Sequence, residues 1–136
     1  MKKIILMLLI CIATLSCNNN EPELTSPLGF WLLQRVDLNG INAVRTDFTM
    51  ANYLDIKDDK TLSRCYDRGK WGLADHALTI DWDSPGGTDW TYKIIDQTQN
   101  TLTLQVELTE SQYNYDFNEF SDDEIITITE FYKKTN

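Results

Sequence analysis

Nucleophilic catalysis is commonly assembled from histidine, serine and cysteine, and this chain offers no arrangement of them that would work. His76 is the only histidine, and the stretch Ala74-Asp75-His76 has the residue types of a tight turn. Ser84 precedes Pro85 and lacks the strand–turn–helix context of a nucleophile elbow, and no glycine-rich loop opens a helix. Carboxylate pairs abound, but among 21 Asp and Glu side chains their pairing carries no information. Without a nucleophile–base constellation, no enzymatic activity is expected. The acidic segment Asp81-Trp82-Asp83-Ser84-Pro85-Gly86-Gly87-Thr88-Asp89 could offer oxygens to calcium. It departs from the calcium-loop template, because Pro85 occupies a ligand position and Tyr92 stands where the bidentate acid belongs. A hairpin with solvated acids is the simpler reading, so neither a metal nor another cofactor is expected.

The chemistry at the N-terminus is of another kind. Met1-Lys2-Lys3 is followed by an uncharged apolar run, Ile4 to Ala13, and then by small polar residues. That order describes a secretory signal. The run is too short to cross a bilayer as a helix, which takes about 20 apolar residues, and no other stretch is longer. Leu15-Ser16-Cys17-Asn18-Asn19-Asn20 resembles the lipobox of bacterial lipoproteins, in which a small residue precedes a cysteine that is acylated and becomes the new N-terminus. Thr14 stands where that family usually has an aliphatic residue, and bulky Ile10 disfavours Cys11 as the acylated position. The resemblance implies that Cys17 carries a lipid; ordinary cleavage and release is the alternative that a signal alone allows. Asn18-Asn19-Asn20-Glu21-Pro22-Glu23 looks like the segment after the cysteine in lipoproteins of the Bacteroidetes type, where an acidic stretch can direct export to the cell surface. A flexible tether has the same composition. The implied location is the cell envelope, anchored by lipid in the outer membrane and facing either the periplasm or the cell surface. Family lipoproteins carry several acyl chains, which makes such anchoring stable.

Composition narrows the partners. Loss of Lys2 and Lys3 with the signal leaves 10 basic against 21 acidic side chains, a net charge of −11 where the whole chain has −9. Such a chain repels phosphate backbones, so nucleic acid is not an expected partner. With Cys11 discarded and Cys17 lipidated, Cys65 remains alone, which excludes an intramolecular disulfide in the folded part. In a strand-like run it reads as a small buried hydrophobe.

The positioning elements follow a period of 2. Leu102, Leu104, Val106 and Leu108 alternate with Thr101, Thr103, Gln105, Glu107 and Thr109, the pattern of a strand with one dry face. Leu78, Ile80 and Trp82 alternate in the same way, as do Trp90, Tyr92 and Ile94, then Leu54 and Ile56, then Ile126 and Ile128. Turn-forming residues stand between the runs at Asp58-Asp59-Lys60, Asp67-Arg68-Gly69, Ala74-Asp75-His76, Ser84-Pro85-Gly86-Gly87 and Gln97-Thr98-Gln99-Asn100. Strands are predicted near 30–37, 51–57, 61–66, 70–73, 77–82, 89–96, 101–109 and 124–133. Asn39-Gly40 ends the first, 41–50 reads as a longer loop, and 110–123 as a long loop rich in aromatics and acids. The fold class is therefore all-β: an eight-stranded antiparallel up-and-down meander, with closure into a barrel removing its vulnerable edges. Residues 1–16 form the signal peptide, 17–28 the lipidated cysteine and its tether, and 29–136 the barrel domain. The tether spans at most about 40 Å when fully extended.

Gly29-Phe30-Trp31 opening the first strand looks like the Gly-x-Trp signature of lipocalins. Gly69-Lys70-Trp71-Gly72-Leu73-Ala74-Asp75-His76-Ala77-Leu78-Thr79-Ile80 is similar to a hairpin of lipocalin-like lipoproteins of the Bacteroidetes type, and Asn100 to Leu104 and Ile126 to Phe131 also fit that group. With Cys65 alone in the folded part, none of the disulfides that many lipocalins carry is expected. The resemblance implies a lipocalin-like barrel in which Gly29 and Trp31 close the bottom, with Lys133 or Lys134 as the basic partner of Trp31. It also implies binding rather than chemistry. An eight-stranded barrel is just wide enough to be filled by side chains or to hold one small ligand. Trp71, Trp82, Trp90 and Tyr92 either pack such a core or line a cavity for a small apolar ligand. The other reading is a solid barrel whose loops, residues 113–120 among them, dock on an envelope protein or a glycan.

Overall fold

The computed structural model describes residues 25–43, 52–84, 88–113 and 119–135; Cys17, the signal peptide and most of the tether lie outside the described residues. Where the sequence alternates, strands form, because successive side chains leave an extended backbone on opposite faces. They are β1 (Gly29–Leu38), β2 (Ile41–Asn42), β3 (Tyr53–Ile56), β4 (Thr61–Arg64), β5 (Asp67–Ala74), β6 (Ala77–Trp82), β7 (Trp90–Gln97), β8 (Thr101–Leu108) and β9 (Ile126–Lys134), with one short helix, α1 (Glu110–Tyr113). From β3 to β9 each strand pairs antiparallel with the next. β1 pairs with β3 through Gly29–Leu32 and with β9 along nearly its whole length. The result is a closed eight-stranded antiparallel barrel in meander order, with β2 as an additional strand on β1.

The connections alternate between two ends. Residues 25–28, Lys57–Lys60, Asp75-His76 and Thr98–Asn100 lie at one end, here the floor. Asn39-Gly40, Cys65-Tyr66, the β6–β7 connection and α1 lie at the other. Two hairpins use two-residue loops with positive φ at both positions, Asn39 (50°) with Gly40 (81°) and Asp75 (48°) with His76 (60°). That geometry suits the right-handed twist of the flanking strands, and Asn, Asp and Gly tolerate it best. Irregular pairing at Leu33/Arg35 in β1 and at Ile94/Asp96 in β7 marks bulges, which bend strands as a small closed barrel requires.

Three local expectations are corrected. The turn read at Asp67-Arg68-Gly69 lies instead at Cys65-Tyr66, and β5 begins at Asp67. Gly69 serves close strand approach: a Cβ there would come within 2.4 Å of the Asp81 carbonyl oxygen. Cys65 is accordingly in the turn, half-buried at φ 52°, with its Sγ donating to Asn52 Oδ1 at 2.7 Å. The loop read at 41–50 begins with β2. The loop read at 110–123 begins with α1, because Thr109 and Gln112 cap one another: Gln112 Oε1 accepts from Thr109 N at 2.9 Å, and Thr109 Oγ1 from Gln112 N at 3.2 Å.

The floor is built around Trp31, which is 1% exposed. Its indole Nε1 donates to the Pro27 carbonyl at 2.8 Å. Lys134 places its ammonium 5.2 Å from the indole ring centroid and donates to the Leu28 carbonyl at 2.9 Å. Gly29 sits at φ 134°, and a Cβ there would meet Lys134 Cε at 2.4 Å. The missing side chain of Gly29 is therefore what lets the lysine stem lie across the floor.

Candidate functional site

Period 2 carries polar residues into the barrel as strictly as apolar ones. In β4, Leu62 faces inward, so Arg64 does too; only 11% of the Arg64 side chain is exposed. In β9, Ile126 and Ile128 face inward, so Glu130 and Tyr132 follow, and Glu130 is completely buried. The two charges meet across the interior, with Arg64 Nη2 2.6 Å from Glu130 Oε1. Removing both from water costs several kcal/mol per ion, and the interior must return that through close pairing and further hydrogen bonds.

It does so with phenols. Tyr113, at the end of α1, donates to Glu130 Oε1 at 2.5 Å and accepts from Arg64 Nη2 at 2.8 Å. Tyr132 donates to Glu130 Oε2 at 2.9 Å, so both carboxylate oxygens are engaged. A longer contact runs from Arg64 Nη1 to the Tyr92 hydroxyl at 3.4 Å. The guanidinium also lies over two aromatic faces, 5.0 Å from the Trp90 ring centroid and 4.8 Å from that of Tyr113, which favours the cation. Trp90 and Tyr113 stack nearly parallel, centroids 5.6 Å apart and planes 14° apart.

Burial by itself disfavours the Arg64 charge, but the Glu130 carboxylate and the surrounding phenol oxygens more than offset it, holding the guanidinium well above its ordinary value. Burial pushes the Tyr92, Tyr113 and Tyr132 hydroxyls well above the ordinary phenol value of 10.0; the Glu130 charge adds to this and Arg64 opposes it. These phenols stay protonated in the folded chain at pH values where an unfolded chain would ionise them. Their contribution to stability is therefore complete below the unfolded value and is lost as pH rises toward the folded one. The unfolding free energy is expected to fall above about pH 10 by at most about 1.4 kcal/mol per pH unit for each of the phenols. Urea unfolding at about pH 9 and about pH 11 checks this, and equal stability at the two would refute the protonated network.

Of the aromatics singled out in the sequence, three come together. Trp82 and Trp90 meet edge to face with centroids 5.2 Å apart, and Trp90 and Tyr92 at 5.9 Å. The Trp82 Nε1 is buried and has no hydrogen-bond acceptor among the described residues. Trp71 belongs elsewhere: its Nε1 donates to the Lys57 carbonyl at 2.8 Å, and Lys60 Nζ lies 3.9 Å from its ring centroid, which ties it to a floor turn. Arg64, Glu130 and Tyr132 escaped the sequence reading; Tyr113, read as part of an outward docking loop at 113–120, is instead buried at 5% exposed, and residues 114–118 of that loop lie outside the described residues. For the three strand residues the signal was present as parity, since Arg64 follows Leu62 and Glu130 and Tyr132 follow Ile128 at the spacing of one strand face. Among the described residues no group of three or more His, Cys, Asp or Glu side chains comes together to hold a metal ion. The site is thus an aromatic wall ending in a fixed array of donors and acceptors, held beneath α1. Comparison of the chain with protein-family models, with curated proteins and with solved structures finds no match.

Proposed function

We propose that the chain is a lipid-anchored protein of the cell envelope whose lipocalin-like barrel binds a small, largely apolar ligand at its α1 end without catalysis. The observation that carries the reading is the Trp82–Trp90–Tyr92 wall ending at the Arg64–Glu130 pair. Ligand sites in barrels pair a mostly apolar lining with a few convergent polar groups that fix orientation. A buried ion pair is weak support for stability, since apolar residues of similar volume hold a core as well or better; recognition gives this one a purpose. The chain enters the barrel at the floor, so a tether from Cys17 would join the end opposite α1.

The test is native mass spectrometry of the full lipidated chain, extracted from its own envelope in mild detergent. A reproducible extra mass that is lost on denaturation, and reduced in Trp90→Ala, is the expected result. A bare chain with a co-purifying protein would instead support docking on an envelope partner. That second reading draws on Tyr66, Ile41 and Ile125, which are 100%, 75% and 58% exposed and flank connections at the α1 end.

A further inference from the structure

Tyr113 fills the space between the Trp90 face and the buried ion pair. Its ring lies against the Trp90 face on one hand, 5.6 Å between centroids, and beside the Arg64 guanidinium on the other, 4.8 Å away. Its hydroxyl is met by both members of the buried ion pair, donating to Glu130 and accepting from Arg64. The ring is 5% exposed, yet it is carried by a four-residue helix rather than by a barrel strand. α1 is capped by Thr109 with Gln112, packs on its neighbour β8, and turns Glu110 and Tyr113 inward, both of them buried. The slot that receives Tyr113 is formed by residues of three different strands, β4, β7 and β9, which the barrel's hydrogen-bonded ladder holds in place. A planar ring with one hydroxyl is thus held by residues of three strands and supplied by a short helix that lies outside their ladder.

We infer that this slot is a binding site for a free phenol, a planar aromatic ring bearing one hydroxyl, and that Tyr113 is its built-in competitor. The inference rests on the carrier reading above and names its ligand class. Trp90 supplies the stacking face, Glu130 accepts the hydroxyl proton in a hydrogen bond, and Arg64 donates to the hydroxyl oxygen. A phenol that enters displaces Tyr113 and takes over all of these contacts. A ligand competing with a tethered group has an affinity reduced by the fraction of molecules in which that group has left. Removal of the competitor should therefore tighten binding, and removal of the ligand's hydroxyl should weaken it.

The experiment titrates the full chain in detergent with 4-methylphenol and with toluene, which has the same ring and methyl group without the hydroxyl. Binding is followed by calorimetry and by tryptophan fluorescence. Tyr113→Ala should bind 4-methylphenol at least about tenfold tighter than the unaltered chain, since the competing ring is gone. In the same variant toluene should bind at least about tenfold weaker than 4-methylphenol, the low end of the cost of leaving buried polar groups unpaired. Tyr113→Phe keeps the ring and fills the slot, so it decides the matter if the alanine variant does not fold: its affinity for 4-methylphenol should rise severalfold, because the competitor has lost both hydroxyl contacts. Equal affinity for phenol and toluene in Tyr113→Ala overturns the inference. So does an unchanged affinity for 4-methylphenol in Tyr113→Phe. A co-purifying mass of another chemical class, found together with either of these failures, would leave the carrier reading standing and remove only the phenol.

Discussion

Replacing Glu130 by alanine is expected to lower the unfolding free energy by about 3–5 kcal/mol, the cost of leaving a buried guanidinium without its counter-charge. Arg64 has only 11% of its side chain exposed and cannot turn to water without dismantling its contacts with Trp90 and Tyr113. The same substitution leaves the Tyr113 and Tyr132 hydroxyls without the acceptor that they share. Urea unfolding followed by circular dichroism provides the measurement. A second substitution separates pairing from packing. Arg64→Met with Glu130→Leu removes both charges and keeps most of the volume, so the double variant should recover the part of the loss due to the stranded guanidinium, while the cost of the unpaired Tyr113 and Tyr132 hydroxyls remains. It should also lose the slot's preference for a hydroxyl. A single variant costing less than about 1 kcal/mol, the range of exposed pairs, would show that the pair is solvated.

Replacing Trp31 by alanine is expected to cost about 3–5 kcal/mol, the usual range for truncating a core aromatic. The indole is 1% exposed, closes the floor beneath the aliphatic core and satisfies the Pro27 carbonyl. Its loss opens a void where β1 meets both β3 and β9, since Trp31 is opposite Leu54 on one side and Lys134 on the other. Barrel closure depends on that junction. Lys134→Met should be far milder, about 0.5–1 kcal/mol, because the cation–π contact of a half-exposed ammonium is modest and its aliphatic stem is preserved. Thermal and urea unfolding of the two variants test the contrast; equal losses would mean that the lysine, rather than the indole, closes the floor.

Much of the architecture was legible because it depends on local regularities. Alternation in Thr101–Leu108 requires an extended chain with one buried face, and short turn-forming stretches leave antiparallel neighbours as the economical pairing. Asp75-His76 was readable as a turn for the same reason: few residue types accept positive φ. The error at Asp67-Arg68-Gly69 has a matching cause. Glycine is selected both by turns and by close backbone approach, and sequence alone does not distinguish them; the Asp81 carbonyl beside Gly69 does. The cap formed by Thr109 and Gln112 could have been read from its spacing, and with it α1.

The sequence by itself determined that the chain is all-β, that its strands run as a meander, and that Trp82, Trp90 and Tyr92 share the inner face. Parity assigns a side chain to a face without reference to anything distant. Only the tertiary structure decided that Trp71 leaves that group for the floor, that Lys134 rather than Lys133 crosses Trp31, and that Arg64 meets Glu130 from 66 positions away and Tyr113 from 49. The reason is geometric. A period of 2 says which residues point into a barrel, but which of them meet across it depends on strand order, register and closure, and these exist only once the last strand has paired with the first.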